Sequence, residues 1–234
     1  MDGFGLGNSR MSNTARRRFT LFFDLDGTLS DPSEGITRSV QYALERLGRP
    51  YPPKSELTRF IGPPLRWTFP KLLGTEDRDL IETAIDYYRQ RYENTGLFEN
   101  EVYPGIPELL RQLRDDGYPL YVVTSKPKVY ADRIIRHFGF EHFFIEVYGP
   151  DLDGRFDEKV ELVGFVLQQR SLDAKSTVMI GDRARDIESG RAHGTRTIGV
   201  TYGFGTPEEI AAAAPDHICH NPYEIYPAVQ RIHG

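Results

Sequence analysis

Five short runs of β-branched and aromatic residues recur along the chain, most of them leading into turn or capping residues: Arg18–Phe23, Tyr118–Val123, His142–Tyr148, Thr177–Ile180 and Arg196–Thr201. Hydrophobicity within them is nearly continuous, which predicts parallel strands covered on both faces. Helical periodicity lies between them. Ile106, Leu109, Leu110 and Leu113 repeat at i, i+3, i+4 and i+7 before a stop at Gly117. Tyr130, Ile134 and Phe138 repeat before Gly139, and Val160, Val163 and Leu167 form a third stripe. Strands alternating with helices predict an α/β fold, a doubly wound parallel sheet with a Rossmann-like core. Ligands of such sheets bind beyond the carboxyl ends of the strands.

One segment departs from this rhythm. Between Pro32 and Tyr103 no strand is predicted, only helical stretches at Gly35–Leu47, Leu65–Leu73 and Glu76–Asn94 with proline-rich breaks at Pro50, Pro52, Pro53 and Pro63-Pro64. That is too long for a crossover connection. It predicts an inserted helical cap over residues 32–103, a core of residues 19–31 and 104–234, and hinges near Ser30–Gly35 and Val102–Gly105. Residues 1–18, rich in Gly, Ser, Asn and Arg, read as a disordered tail.

Composition removes several classes. The chain has 234 residues, with 29 Lys and Arg against 34 Asp and Glu, a net charge of −5. No broad basic surface is available for nucleic acid. No apolar run approaches the length needed to span a bilayer. The single Cys219 excludes an internal disulfide framework, which suits a reducing, cytoplasmic setting.

The residues with chemical potential fall where the expected strands end. The first strand delivers Asp24-Leu25-Asp26-Gly27-Thr28. Two carboxylates that close repel each other and call for a cation or a shared proton. Asp-Gly alone is a common turn. A calcium loop does not fit, because the Gly is fourth rather than sixth and position twelve is Gly35. A Gly-Lys-Ser/Thr phosphate loop is absent. After the second strand, Thr124 and Ser125 offer hydroxyls and backbone N–H groups, an oxyanion site or simply a helix cap. Lys159 opens the helix after the third strand; taken alone, such a lysine is ordinarily solvated. The fourth strand ends in Gly181-Asp182-Arg183-Ala184-Arg185-Asp186. Asp182 and Asp186 are candidate ligands for a hard cation such as Mg²⁺, or else helix caps.

These four pieces in this order resemble the haloacid dehalogenase-like superfamily, and within it the phosphoglycolate phosphatase-like proteins with a helical cap between the first two motifs. The resemblance runs from about Phe19 to Ile232, and D-x-D-G-T with G-D-x-x-x-D is its specific part. It implies a Mg²⁺-dependent phosphatase acting on a small phosphate monoester such as phosphoglycolate. Asp24 would be the nucleophile, Asp26 the acid and base, and Lys159 the third catalytic group. Mg²⁺ would be held by Asp24, the Asp26 carbonyl, Asp182 and Asp186. Gly27, Thr28, Thr124 and Ser125 would serve substrate binding. The loop Phe60–Trp67 would read the substrate, with Arg66 meeting a second anionic group or else standing as a surface arginine. Trp67, Tyr42, Tyr87 and Tyr88 fit packing better than base stacking. Superfamily members resembling dehalogenases or phosphonate-cleaving enzymes lack an acid at the position of Asp26. A 5′-nucleotidase and a phosphomutase remain open on the same motifs. A non-enzymatic phospho-receiver or binding module fits less well, since it needs neither the acid nor the lid.

Overall fold

A computed structural model describes residues 19–233; the expected tail at 1–18 lies outside them. In chain order the elements are β1 (Thr20–Phe23), β2 (Ser30–Asp31), α1 (Ser33–Arg46), α2 (Lys54–Leu57), α3 (Leu65–Leu73), α4 (Arg78–Arg91), β3 (Glu101–Val102), α5 (Ile106–Asp115), β4 (Leu120–Val123), α6 (Lys128–His137), β5 (Glu146–Tyr148), α7 (Lys159–Gln169), β6 (Thr177–Gly181), α8 (Ala184–Ala192), β7 (Arg196–Val200), α9 (Pro207–Ala213), β8 (His217–Cys219) and α10 (Ile225–His233).

Six strands form one parallel sheet in the order β5-β4-β1-β6-β7-β8. The chain leaves central β1 for β4 and β5 on one side, then crosses to β6 on the other, so a topological switch point flanks β1. Register aligns the tips: Phe23 pairs with Val122 and with Ile180. The residues just past these positions, Asp24, Thr124 and Asp182, therefore emerge along a single edge. Side chains alternate between faces, as the pleat requires. Leu21 and Phe23 pack with Leu110, Leu120 and Ile180 on one face, whereas Phe22 packs with Tyr121, Leu162, Val166 and Met179 on the other.

The edge strand β8 is not foreseen from sequence. His217-Ile218-Cys219 is too short and too polar at its start to signal, and Ile218 is exposed. The third strand is shorter than its expected range, because Phe143 and Phe144 bury themselves in the turn before Glu146 rather than in the ladder. The stripe on α7 is also displaced. Val160 is exposed, and the buried face is Lys159, Leu162, Val163, Val166 and Leu167.

Helices α1 to α4 stand between β1 and β4 as the inserted helical cap. Their hydrophobic faces meet one another: Val40, Ala43 and Leu44 of α1 and Phe69 of α3 join Ile81, Ile85 and Tyr88 of α4. Helix α4 ends in a π turn, Tyr92–Gly96. A two-stranded antiparallel pairing of β2 with β3, absent from the sequence-based expectation, ties the two crossings between cap and core together.

Candidate active site

β1 carries Asp24 to the sheet edge, where its backbone N–H donates to the Ile180 carbonyl at 2.9 Å. Gly27 then turns the chain back at φ +83°, a conformation that side chains with a Cβ rarely adopt. There is also no room for a Cβ, which would stand 2.1 Å from Asp182 Oδ2. Asp182 follows β6 and is fully buried. Its Oδ2 accepts the Phe204 N–H at 2.7 Å, and its Oδ1 accepts the Thr28 hydroxyl at 3.5 Å. Asp186 sits in the first turn of α8 and accepts the Arg183 N–H at 2.9 Å. It thus supports the helix start and also faces the cleft.

Carboxylate oxygens of Asp24, Asp182 and Asp186 lie within 4.8 Å of one another, all three buried. Lys159, 2% exposed, answers part of that charge: its ammonium donates to Asp24 at 2.6 Å and also to Asp186. Its place at the head of the α7 apolar stripe puts it there, since a side chain at i lies on the face of i+3, i+4 and i+7. Burial alone would lower its pKa, but Asp186 and Asp24 outweigh that and hold it above the ordinary lysine value. Burial pushes the Asp182 carboxyl well above the usual range, reinforced by Asp186 and Asp24. Burial also raises Asp186, although Lys159 pulls against it. Three close carboxylates left undercompensated by one ammonium, with oxygen donors only, fit a hard divalent cation.

The cleft itself is lined by Asp24, Asp26, Thr124, Ser125, Lys159 and Asp186, together with residues of the cap loop and Arg185. The structure thus brings together most of the residues singled out from sequence. Gly27 and Thr28 are placed differently. They pack on the Asp182 carboxylate instead of lining the cleft, because the turn folds under the β6 tip. Arg66 stands in the wall of the cavity adjoining the cleft, where it pairs with Glu82 at 2.8 Å and Asp157 at 3.7 Å, and donates to the Leu152 carbonyl at 3.3 Å. Its charge is answered within the protein. Tyr88 is buried and Trp67 carries the Arg185 guanidinium over its ring at 4.3 Å.

One residue escapes the sequence reading. Lys126, buried, pairs with Asp26 Oδ2 at 2.8 Å. Its signal is its place two residues past Thr124 at the β4 tip, but a lysine beside a proline reads as a surface turn. Arg185, next in sequence to Asp186, lines the cleft and has a buried Nη1 with no hydrogen-bond partner among the described residues. Beyond Asp26 and Lys126 the cleft continues into a cavity between cap and core, walled by Phe60, Leu65, Ile85, Tyr88, Tyr92 and Tyr130.

Comparison with known proteins agrees with this geometry. The family profile of haloacid dehalogenase-like hydrolases matches residues 21–200. A 5′-nucleotidase from Pseudomonas aeruginosa is 47% identical over 209 residues, covering 89% of this chain and 94% of that one. A tyrosine-protein kinase, PtkA, from Mycobacterium tuberculosis is 36% identical, covering 90% and 72%. A phosphoglycolate phosphatase from Aliivibrio fischeri is 28% identical, covering 83% and 88%. The crystal structure of a "predicted phosphatase" from Clostridium acetobutylicum superposes with a TM-score of 0.88 at 36% identity, covering 92% of this chain and all of that one. With its aspartates on the switch-point edge and its helical cap above them, the chain belongs to the haloacid dehalogenase-like hydrolases, on the phosphoglycolate phosphatase-like side of that superfamily, and is a hydrolase of the phosphoric monoester class.

Proposed function

We propose that the chain is a Mg²⁺-dependent phosphatase that works through a phosphorylated Asp24. The observation that carries this reading is the meeting of Asp24, Asp182, Asp186 and Lys159 at one buried point. Asp24 attacks phosphorus and the ester oxygen leaves, so one hard displacement becomes two easier ones. Asp26 gives a proton to the departing alcohol and later takes one from the water that hydrolyses the aspartyl phosphate. Thr124, the Ser125 N–H and Lys159 hold the equatorial oxygens of the transferring group. Mg²⁺ would be held by Asp24, the Asp26 carbonyl and Asp182, with Asp186 on the ion or one of its waters. When bound it offsets the repulsion between carboxylate and phosphate. The cap, taken as residues 32–103, excludes water from the cleft.

The cavity beyond Asp26 would receive the leaving group. Its wall is mainly aromatic, which suits a planar group, and it also holds Arg66, spent on Glu82 and Asp157, and Arg89, which donates to the Leu152 carbonyl. A nucleoside 5′-monophosphate is therefore the preferred substrate class, in line with the relative named 5′-nucleotidase. Phosphoglycolate is the second reading, supported by relatives that carry that name. A Mg²⁺-supplemented panel of monoesters, with Asp24→Asn as control, tests both levels. Turnover is expected with p-nitrophenyl phosphate and to be highest with nucleoside monophosphates, and Asp24→Asn is expected to abolish it. Near-normal steady-state turnover in Asp24→Asn would refute the nucleophile. No release from any ester would favour a binding module.

A further inference from the structure

The acid position of the core is gripped from the cap. Lys126 follows β4, and its buried ammonium reaches two partners at once: Asp26 Oδ2 at 2.8 Å and the Tyr92 hydroxyl at 2.5 Å. It also lies 4.7 Å from the centre of the Tyr92 ring, within the range of a cation–π contact. Tyr92 belongs to the π turn that closes α4, on the cap side of the cavity. It is itself held, stacked on Tyr88 with ring centres 5.1 Å apart and met edge-on by Tyr130 at 5.6 Å.

This arrangement makes the two oxygens of Asp26 unequal. Oδ2 is fixed by a charge-assisted contact, the strong kind of hydrogen bond. Oδ1 is buried without a hydrogen-bond partner among the described residues, the atom left for a leaving-group oxygen or a water. A lysine on a flexible four-carbon stem does not hold such a geometry from one contact alone. Its second contact comes from the other side of the cap–core cavity.

We propose that Lys126 is a positioning residue for Asp26, and that the cap, through Tyr92, holds Lys126 in register so that the acid is aligned only when cap and core are docked. The inference rests on the phosphatase reading above and deepens it. Opening the cap withdraws Tyr92 and leaves Lys126 with a single anchor. Proton delivery is then linked to water exclusion, and neither occurs without the other.

The test compares kcat/KM for adenosine 5′-monophosphate with that for p-nitrophenyl phosphate in wild type, Lys126→Met, Tyr92→Phe and Asp26→Ala. For this two-step reaction kcat/KM covers steps only up to release of the alcohol, so hydrolysis of the phosphoenzyme does not enter. p-Nitrophenolate departs without a proton, whereas a ribose alkoxide needs one. Should adenosine 5′-monophosphate be no substrate, 2-phosphoglycolate takes its place. Lys126→Met is expected to lower the alkyl-ester value about 100-fold, and the aryl-ester value at least about tenfold less. Tyr92→Phe, which keeps the ring and its stacking, shifts the same ratio in the same direction by about fivefold. Adding Lys126→Met to Asp26→Ala moves the ratio no further, because both act on one proton transfer. Equal losses on the two esters, or no loss on either, overturn the role of Lys126. An inert wild type sinks the phosphatase reading itself, and this inference with it.

Discussion

The charge around Asp24 is lopsided at the level of single residues. Asp24, Asp182 and Asp186 crowd one point, and Lys159 answers only Asp24 and Asp186. A cation that enters relieves repulsion that folding has already paid for. Mg²⁺ should therefore raise the melting temperature, by a stabilisation of about 2.7 kcal/mol at a hundred times its dissociation constant. Calorimetry with and without EDTA measures it, and a response unchanged in Asp182→Asn would remove that residue from the ligand set. Gly27 makes a separate point. Gly27→Ala meets both a left-handed φ and the Asp182 carboxylate at 2.1 Å, so it should cost at least about 1–3 kcal/mol, read by denaturant unfolding. Cys219 is the chain's single thiol, 1% exposed, and burial pushes its pKa up to about 12. The shift is upward, so the reactive thiolate is scarcer than usual, about 10⁻⁴ of the molecules at pH 8. Iodoacetamide at that pH should leave the folded protein unmodified by mass and label it fully in urea. Labelling of the native protein at the denatured rate would contradict the burial.

At the scale of elements, what sequence could disclose depended on how much periodic signal each piece carried. Helix α5 has four apolar residues in strict helical spacing, and all four, Ile106, Leu109, Leu110 and Leu113, are buried. Leu110→Ala should cost about 2–5 kcal/mol, while Arg111→Ala, on the exposed side, should stay within about 0.5 kcal/mol. Urea midpoints compare the two. Strands β1, β4, β6 and β7 were legible through nearly continuous β-branched and apolar runs, buried on both faces apart from Arg196 at the start of β7. The pieces that stayed hidden lack such a signal. β2 and β3 are two residues each and partly polar, held by the pairing of Ser30 with Val102 and Asp31 with Glu101, far apart in sequence. Lys159 shows a subtler limit. An apolar stripe headed by lysine invites a reading that starts at Val160 instead, and only the positions of Asp24 and Asp186 explain why an ammonium is buried there. Lys126 was illegible because its partner Tyr92 comes from the cap, and no local pattern encodes a contact between distant segments.

For the molecule as a whole, several contacts between cap and core are polar even though the interior of the cap is apolar. Arg183 donates to the Ile61 carbonyl at 2.6 Å, Arg89 to the Leu152 carbonyl at 3.0 Å, and Arg133 to the Glu93 carbonyl at 2.8 Å. Tyr130 adds a hydroxyl bond to Glu93 at 2.5 Å. Each is a directional contact that breaks with little loss of buried apolar area, which suits a closure made and unmade in each turnover. The two strand crossings through the β2–β3 pairing leave a narrow connection about which such motion can occur. Arg133 is the cleanest probe, since it lies on α6, away from the aspartates, and holds both the Glu93 carbonyl and the Phe98 ring, 5.5 Å from its guanidinium. Arg133→Ala should lower the population of the closed form without touching the chemistry. Apparent affinity falls with the fraction of closed molecules, so KM should rise by about threefold to tenfold while kcat changes by less than twofold. Small-angle scattering of the ligand-free variant should show a larger radius of gyration than wild type. A variant with unchanged radius but depressed kcat would mean that Arg133 acts on the cleft directly, and that these polar contacts do not govern closure.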